Sequence, residues 1–343
     1  MPATTRQTVQ QYRVPNRTIA YAILIADVLF YAITLLIAVS HHQLPVAILA
    51  SVLNGLAIGL LFLVGHDCCH RSFLPTRVEN YLVGQLAMLP ALHPYSLWEL
   101  GHNQVHHGFT NLGSRDYVYR PLSKADYDAL TSWRRCVYRF HRSFAGHASY
   151  YLVEIWKKHL FFPSSSEVGP YKRRYHRDHA MVVGWLFLFL VGITQATNCA
   201  VQALSLGFVV PFIVWNFLMG AVIYLHHTNP AVRWYEDENK WPYPRFQEPC
   251  AVVIRFTPLV DFILHRIMEH SAHHLNALVP MYRLREAQRV LAPDAFVMQW
   301  TLRNHIELTR MCRLYDYQNG TWLDYDGKPV CAGNSGQGSA GKS

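Results

Sequence analysis

The 343-residue sequence has few of the features that mark secreted or soluble proteins. Its seven cysteines lack the paired spacing of a disulfide framework, and two of them, Cys68 and Cys69, are adjacent, so we expect reduced thiols. We recognise no secretory signal in the polar amino-terminal residues. Charged residues make up only 15% of the chain and are almost absent from four long apolar stretches. These absences argue against a secreted domain and favour a membrane protein.

The four apolar stretches are long enough to cross a bilayer as helices, which requires about 20 residues each. The predicted spans are residues 18–40, 44–65, 181–197 and 203–225. The linkers 41–43 and 198–202 are short enough to be hairpin tips. Residues 81–100 are also apolar, but Pro90 and Pro94 interrupt them, so we expect a re-entrant or interfacial segment. We therefore predict an all-α integral membrane protein with four transmembrane helices in two hairpins.

The positive charges predict which ends of these spans face the cytoplasm. Of the 31 lysines and arginines, 3 lie in residues 1–17, 15 in residues 66–180 and 13 after residue 225, with none in the hairpin tips. The positive-inside rule then places both termini in the cytoplasm, together with a cap formed by residues 66–180 and 226–325. This distribution explains the net charge of +9 without a nucleic-acid partner.

These boundaries divide the chain into three parts. Residues 1–17 are predicted to be a cytosolic segment, residues 18–325 a membrane domain, and residues 326–343 a disordered tail rich in glycine and serine. One carboxylate, Asp27, lies inside the first span. Because a charge at that depth costs about 2.5–3.5 kcal/mol on insertion scales, Asp27 should face protein or a cavity.

Three histidine clusters lie just outside the apolar stretches. Their sequences are HDCCH at 66–70, HNQVHH at 102–107 and HSAHH at 270–274. Histidines three or four residues apart share one face of a helix, so each cluster should project its imidazoles in one direction. Imidazoles with hardly any carboxylates among them suit iron, copper or zinc. Eight histidines are too many for one metal, so we expect two ions at the predicted cytoplasmic face.

Two other kinds of metal protein fit this pattern less well. A membrane zinc hydrolase needs about three protein ligands and usually a general-base glutamate, as in HExxH, which none of the clusters contains. A metal transporter would need ligands within its spans, whereas these histidines lie at the ends of the spans.

The three clusters resemble the histidine boxes of the membrane-bound fatty acid desaturases, most closely the acyl-lipid Δ12/ω-6-like branch. Further similar segments are SRD at 114–116, YLVEIWKKH at 151–159, YLHHTNP at 224–230 and PMYRLREA at 280–287. The resemblance covers roughly residues 20–300. The sequence departs from the branch at Cys69, where glycine is usual, and at Asn229, where plant-like members often have histidine.

The resemblance implies a histidine-rich di-iron site in the cytosolic helical cap. The implied ligands are His66, His70, His102, His106, His107, His227, His270, His273 and His274. A ring bound to metal through one nitrogen is usually oriented through the other. The nearby carboxylates that we expect in that role are Asp67, Asp116, Glu154, Asp261 and Glu269. Cys69 is either a thiolate ligand or a small packing residue.

The resemblance also implies a reaction, namely O2-dependent insertion of a cis double bond into the acyl chain of a membrane lipid. General acid–base groups cannot break an unactivated methylene C–H bond, so a cofactor must supply the oxidant. The sequence contains no haem-binding, dinucleotide-binding or iron–sulfur motif, so we expect an external donor, either a ferredoxin or a cytochrome b5. A hydroxylase, conjugase or acetylenase would share the same boxes.

Overall fold

The computed structural model describes residues 10–241 and 250–330. The main helices are, in chain order, α1 (Arg17–Ser40), α2 (Leu44–Cys69), α3 (Arg77–Met88), α4 (Tyr95–Glu99), α5 (Lys124–Asp128), α6 (Ser132–His141), α7 (His147–Tyr150), α8 (Ser165–Val168), α9 (Lys172–Gln195), α10 (Ala200–His227), α11 (Pro258–Ile263), α12 (His270–Leu275), α13 (Leu284–Leu291) and α14 (Leu302–Met311). Two helices continue as π-helix, α4 through Leu100–His106 and α7 through Tyr151–Phe161, and α10 includes a π-helical turn at Ser205–Val209. The fold is mostly helical.

Four helices, α1, α2, α9 and α10, are long and apolar enough to cross a membrane. They coincide with the four predicted spans but differ at the ends. Helix α2 runs four residues past the predicted boundary at 65, through the first histidine box. Helix α9 starts nine residues before the predicted boundary at 181, because the charged segment that begins at Lys172 is also helical. A search for apolar residues detects only the apolar part of such helices.

Helix α2 is the centre of the helix bundle. It packs against α1, α3 and α10. In the apolar 18-residue stretch of each helix, 61% of α2 is buried, compared with 22% of α1 and 17% of α9. Small residues allow these close approaches. A Cβ atom on Gly55 would lie 2.6 Å from the Cβ of Val214 on α10, and one on Gly220 would lie 2.2 Å from the carbonyl oxygen of His147 on α7. The histidine-bearing ends of α2 and α10 are therefore held at a fixed separation.

The interrupted apolar stretch 81–100 forms parts of two short helices, α3 and α4. Neither is long enough to span a bilayer. Asp27 is buried in the first span and accepts a hydrogen bond from Nε2 of His265 at 2.8 Å. This pair supports the expectation that the carboxylate faces protein.

The expectation of an all-α chain is wrong in detail, because four short strands accompany the helices. β1 (Val253–Arg255) pairs in parallel with β2 (Val297–Gln299), and β3 (Leu314–Asp316) pairs antiparallel with β4 (Thr321–Leu323). Three-residue strands are too short to give a clear alternating pattern in the sequence.

The predicted tail 326–343 begins too early. The carboxylate of Asp324 accepts hydrogen bonds from the backbone N–H groups of Asp326 and Lys328, and the N–H of Val330 donates to the carbonyl of Trp322 at 3.0 Å. Residues 326–330 are therefore part of the folded domain. The remainder of that prediction, at 331–343, and residues 1–9 of the predicted cytosolic segment lie outside the described residues.

Candidate metal centre

The first histidine box lies at the end of α2. His66 is in the last helical turn and His70 is the C-cap residue, which keeps helical backbone angles. Their rings, four residues apart, have centroids 4.9 Å from each other, as a shared helix face requires. The side-chain amide of Asn103 donates to the carbonyl of Cys69 at 2.9 Å. This bond ties the first box to the second.

The second box lies on a π-helix rather than an α-helix. The backbone N–H of His107 donates to the carbonyl of His102 at 2.9 Å, five residues earlier. In an α-helix of 3.6 residues per turn, these two residues would point about 140° apart. The wider turn instead brings their Nε2 atoms to 3.1 Å. The intervening His106 faces a different neighbour, so the box supplies imidazoles in two directions.

The third box occupies the short helix α12, and it too is divided. Nε2 of His273 lies 3.1 Å from Nε2 of His107. His270 and His274 turn the other way, with their Nε2 atoms 3.1 Å apart. His227, the last residue of α10, completes this side, with its Nε2 atom 3.1 Å from that of His270.

All nine histidines expected as ligands therefore meet in two groups. The five-histidine cluster contains His66, His70, His102, His107 and His273, and the four-histidine cluster contains His106, His227, His270 and His274. Within each cluster, the candidate ligand atoms all lie within 4.8 Å of one another. Two clusters agree with the expectation of two ions. Each cluster combines histidines from different boxes, and the second and third boxes each contribute to both clusters.

The spacing between ring nitrogens tests whether a metal ion fits. Metal–imidazole bonds are about 2.0–2.1 Å long, so two ligands on one ion are separated by roughly 2.9–3.4 Å, depending on the bond angle. Four Nε2–Nε2 pairs at 3.1 Å fall within this range. The Nε2 atom of His70 is buried and has no hydrogen-bond partner among the described residues. A metal ion is the natural partner for nitrogens arranged in this way.

The protonation state of the rings also suits a metal. Burial lowers the pKa of six ligand histidines well below 6.5, and the neighbouring imidazoles lower it further. They are His70, His102, His107, His270, His273 and His274. These rings are neutral at physiological pH, and the neutral imidazole is the form that binds metal.

Two of the five predicted carboxylates contact ligand rings. Asp116 is buried, and its oxygens lie 3.1 and 3.3 Å from Nδ1 of His106. It also accepts the backbone N–H groups of Asn111 and Val118, each at 3.0 Å. Asp67 lies 3.4 Å from Nδ1 of His66. Because each carboxylate contacts Nδ1, the Nε2 atoms of His66 and His106 remain free to face the clusters.

The other three predicted carboxylates contact different partners. Glu154 contacts Lys158 and His141. Asp261 accepts the backbone N–H of Phe256 at 3.0 Å, near the start of α11. Glu269 is an ion-pair partner of Arg255. Within the described residues, none of these three side chains contacts a ligand ring, so their role in orienting a ligand stays a prediction.

Glu269 nevertheless helps to hold the third box, through its backbone. It is the N-cap residue of α12, and its carbonyl accepts the N–H of His273 at 3.3 Å. Two further ligand rings are oriented by neutral groups. Nδ1 of His227 donates to the carbonyl of Cys250 at 3.0 Å, and Nδ1 of His274 lies 3.2 Å from the hydroxyl of Thr110.

Cys69 is buried and lies in neither histidine cluster. Its thiol is in hydrogen-bond contact with Tyr95, which supports a packing role. His226, which precedes His227 in the sequence, is not among the expected ligands. Its ring stacks on His270 with centroids 3.9 Å apart, and neither ring nitrogen has a hydrogen-bond partner among the described residues. Nothing in the sequence predicted that the ring of His226 would line the cavity that is described next.

An apolar cavity opens directly onto both clusters. It is narrow, and nearly all of the surface that lines it is apolar. Aliphatic and aromatic side chains form most of its wall, including Phe62, Ile155, Leu160, Met219 and Ile223. The histidines at its polar end are His66, His102, His106, His226 and His270. A cavity with this lining suits an apolar ligand rather than a soluble polar one.

Comparison with known proteins identifies a family. Residues 42–304 match the family model described as fatty acid desaturase. The chain belongs to the fatty acid desaturase family. The expected resemblance is thereby confirmed.

Similar proteins include plant and cyanobacterial desaturases. The chloroplastic omega-6 fatty acid desaturase of Spinacia oleracea is 26% identical over 91% of this chain and 68% of its own length. The corresponding Glycine max protein is 27% identical over 78% of this chain and 62% of its own length. The sn-1 oleoyl-lipid 12-desaturase of Anabaena variabilis is 28% identical over 79% of this chain and 77% of its own length. In some plant proteins, the aligned chain thus spans less than two thirds of the relative.

Proposed function

We propose that this desaturase introduces a cis double bond into the acyl chain of a membrane lipid, at the Δ12/ω-6 position of a monoenoic chain. The observation that carries the proposal is the apolar cavity that ends at two clusters of histidines. The names of the plant and cyanobacterial relatives support the position of the bond.

We propose two iron ions as the metals, one in each histidine cluster. The donor set suits iron, and the family is one of di-iron enzymes. When bound, this centre supplies O2-dependent oxidation that converts two adjacent methylenes, O2, two electrons and two protons into an alkene and two waters. The two electrons come from an external donor, for which we propose a ferredoxin or a cytochrome b5.

The protein's own contribution is to hold the ligands and place the substrate. Asp116 and Asp67 hold their imidazoles with Nε2 directed into the clusters. Phe62, Leu160 and Ile223 exclude water from the cavity and confine an acyl chain so that one carbon–carbon bond lies beside the histidines. We further propose that the histidine-bearing end and both termini face the cytoplasm, as the distribution of lysine and arginine predicts.

The test is a product analysis in a host that makes only monoenoic fatty acids. The chain is expressed with a compatible donor, and total fatty acids are identified by gas chromatography–mass spectrometry. We expect a new dienoic acid, which is lost in His273→Ala and retained in the control His176→Ala, whose histidine is exposed on α9. Iron content and membrane expression of both variants show whether the protein folds.

A new hydroxy acid would instead identify a hydroxylase. A folded, iron-loaded protein that makes no new fatty acid in the presence of a working donor would contradict the proposal.

A further inference from the structure

A second apolar groove lies between the first span and the third histidine box, apart from the acyl cavity. The two share no lining residue. One wall of the groove is α1, from Ile19 to Phe30. The other wall combines the end of α11, at Phe262 and Ile263, with basic residues from the following turn and from α13.

The basic residues of this groove are not fully neutralised. Nη1 of Arg266 is buried and has no hydrogen-bond partner among the described residues. Arg289 is exposed and has no ion-pair partner within the described part of the chain. Arg285 has only a long contact, 3.6 Å, with Asp261. Glu286 is the one lining carboxylate besides Asp27, which is already bonded to His265.

The backbone presents these side chains at some conformational cost. His265 and Arg266 both have left-handed backbone angles, with φ of 51° and 64°. Such angles are unfavourable for residues other than glycine. Here the N–H of Arg266 donates to the carbonyl of Asp261 at 3.0 Å, which holds the turn. The result places two consecutive side chains, His265 and Arg266, in the same groove.

The groove joins basic residues to an apolar wall on α1. The hydroxyl of Tyr282, on the turn before α13, accepts the backbone N–H of Asn16, the N-cap residue of α1. The turn that precedes α13 therefore lies at the amino end of the first span. The apolar wall from Ile19 to Phe30 extends about 16 Å along α1, at 1.5 Å per residue. Half of the hydrocarbon core of a bilayer is about 15 Å thick.

We propose that this groove binds an anionic phospholipid, with its phosphate at Arg266, Arg285 and Arg289 and one acyl chain along α1. The exposed side chains of Leu259 and Phe262 on α11 extend the apolar surface into the surrounding lipid. Charge complementarity selects an anionic headgroup, and the length of the apolar wall selects a lipid rather than a free phosphate. This lipid is not the acyl substrate, and its binding does not depend on the proposed reaction.

Native mass spectrometry of the full chain tests the proposal. The protein is purified in detergent, exposed to equal amounts of phosphatidylglycerol and phosphatidylcholine, and the retained lipids are counted. We expect one phosphatidylglycerol to be retained in preference to phosphatidylcholine. Arg266→Gln/Arg289→Gln should weaken that retention by roughly five- to thirtyfold, since each arginine near an anionic headgroup contributes about fivefold.

Three further variants separate this site from general charge and from misfolding. Arg303→Gln/Arg310→Gln removes the same charge from the exposed side of α14 and should retain the lipid. Arg289→Gln alone changes an exposed residue and should lose about fivefold with the fold intact. Ala22→Trp fills the apolar wall without changing charge and should also reduce retention.

Equal retention of the two lipids, or equal loss in the control pair, would overturn the proposal. So would displacement of the lipid by millimolar inorganic phosphate together with unchanged retention in Ala22→Trp, because the site would then recognise a free phosphate only.

Discussion

Asp116→Asn is the change that most sharply tests how the metal ligands are held. The buried carboxylate accepts three N–H groups, from Nδ1 of His106 and from the backbones of Asn111 and Val118. The asparagine side chain has nearly the same shape but carries only one oxygen. Its amide N–H₂ must therefore face at least one of these donors, which leaves a buried N–H without an acceptor.

Asp116→Asn should lower both the metal affinity and the stability of the protein. Loss of a partner that orients a ligand ring typically lowers metal affinity by 10–100-fold, or about 1.4–2.8 kcal/mol. The unsatisfied buried donor should lower the free energy of unfolding by about 1–3 kcal/mol. Both effects should appear together, because one side chain supports the ring of His106 and the backbone of the loop that follows it.

The assay is iron content and iron affinity of the purified protein, with thermal unfolding measured in parallel. Glu154→Gln is the matched control. Its sequence position suggested the same role as that of Asp116, but the structure places it against Lys158 and His141. It should bind iron like the unchanged protein. Equal iron affinity in both variants, or a loss confined to Glu154→Gln, would refute the account of how these ligands are oriented.

Three further predictions follow from individual contacts. Asp67→Asn should weaken iron binding less than Asp116→Asn, since the contact from Asp67 to His66 is longer, at 3.4 Å; a larger loss measured by iron titration would contradict this. Gly220→Ala should lower the free energy of unfolding by about 1–3 kcal/mol, because the new Cβ would meet the backbone of α7. Gly184→Ala, with open space around the new Cβ, should be neutral or slightly stabilising. Equal thermal unfolding curves for the two variants would count against the packing described. Burial lowers the pKa of His93 to about 3, so its unfolded form takes up a proton below pH 6.5 and the native form does not. The free energy of unfolding should therefore fall as the pH decreases, by roughly 2 kcal/mol for this ring at pH 5.0. His93→Gln should show a shallower pH dependence when unfolding is measured from pH 7.5 to 5.0. Parallel curves for the two proteins would show that the ring is protonated in the native state.

The sequence predicted the spans and the ligand types because both depend on composition and short spacing. Apolar runs identify helices whatever their partners, and nine histidines in recurring boxes identify a metal site. It did not predict how the boxes divide, because that depends on the π-helical turn between His102 and His107. A single inserted residue per turn changes the direction of every following side chain and leaves no simple mark in the sequence.

The sequence also did not predict which carboxylates contact a ligand ring. Asp116 and Glu154 each follow the second box, but only the tertiary fold determines which of them reaches an imidazole. Long-range contacts of this kind also explain Asp27, for which the sequence could predict a buried partner but not that it would be His265, 238 residues away.

The most direct test of the central claim is an anomalous diffraction map from crystals of the full chain, collected at the iron absorption edge. The account predicts two peaks per chain. One should lie among His66, His70, His102, His107 and His273, and the other among His106, His227, His270 and His274. A single peak, or peaks that appear only at the zinc edge, would contradict it.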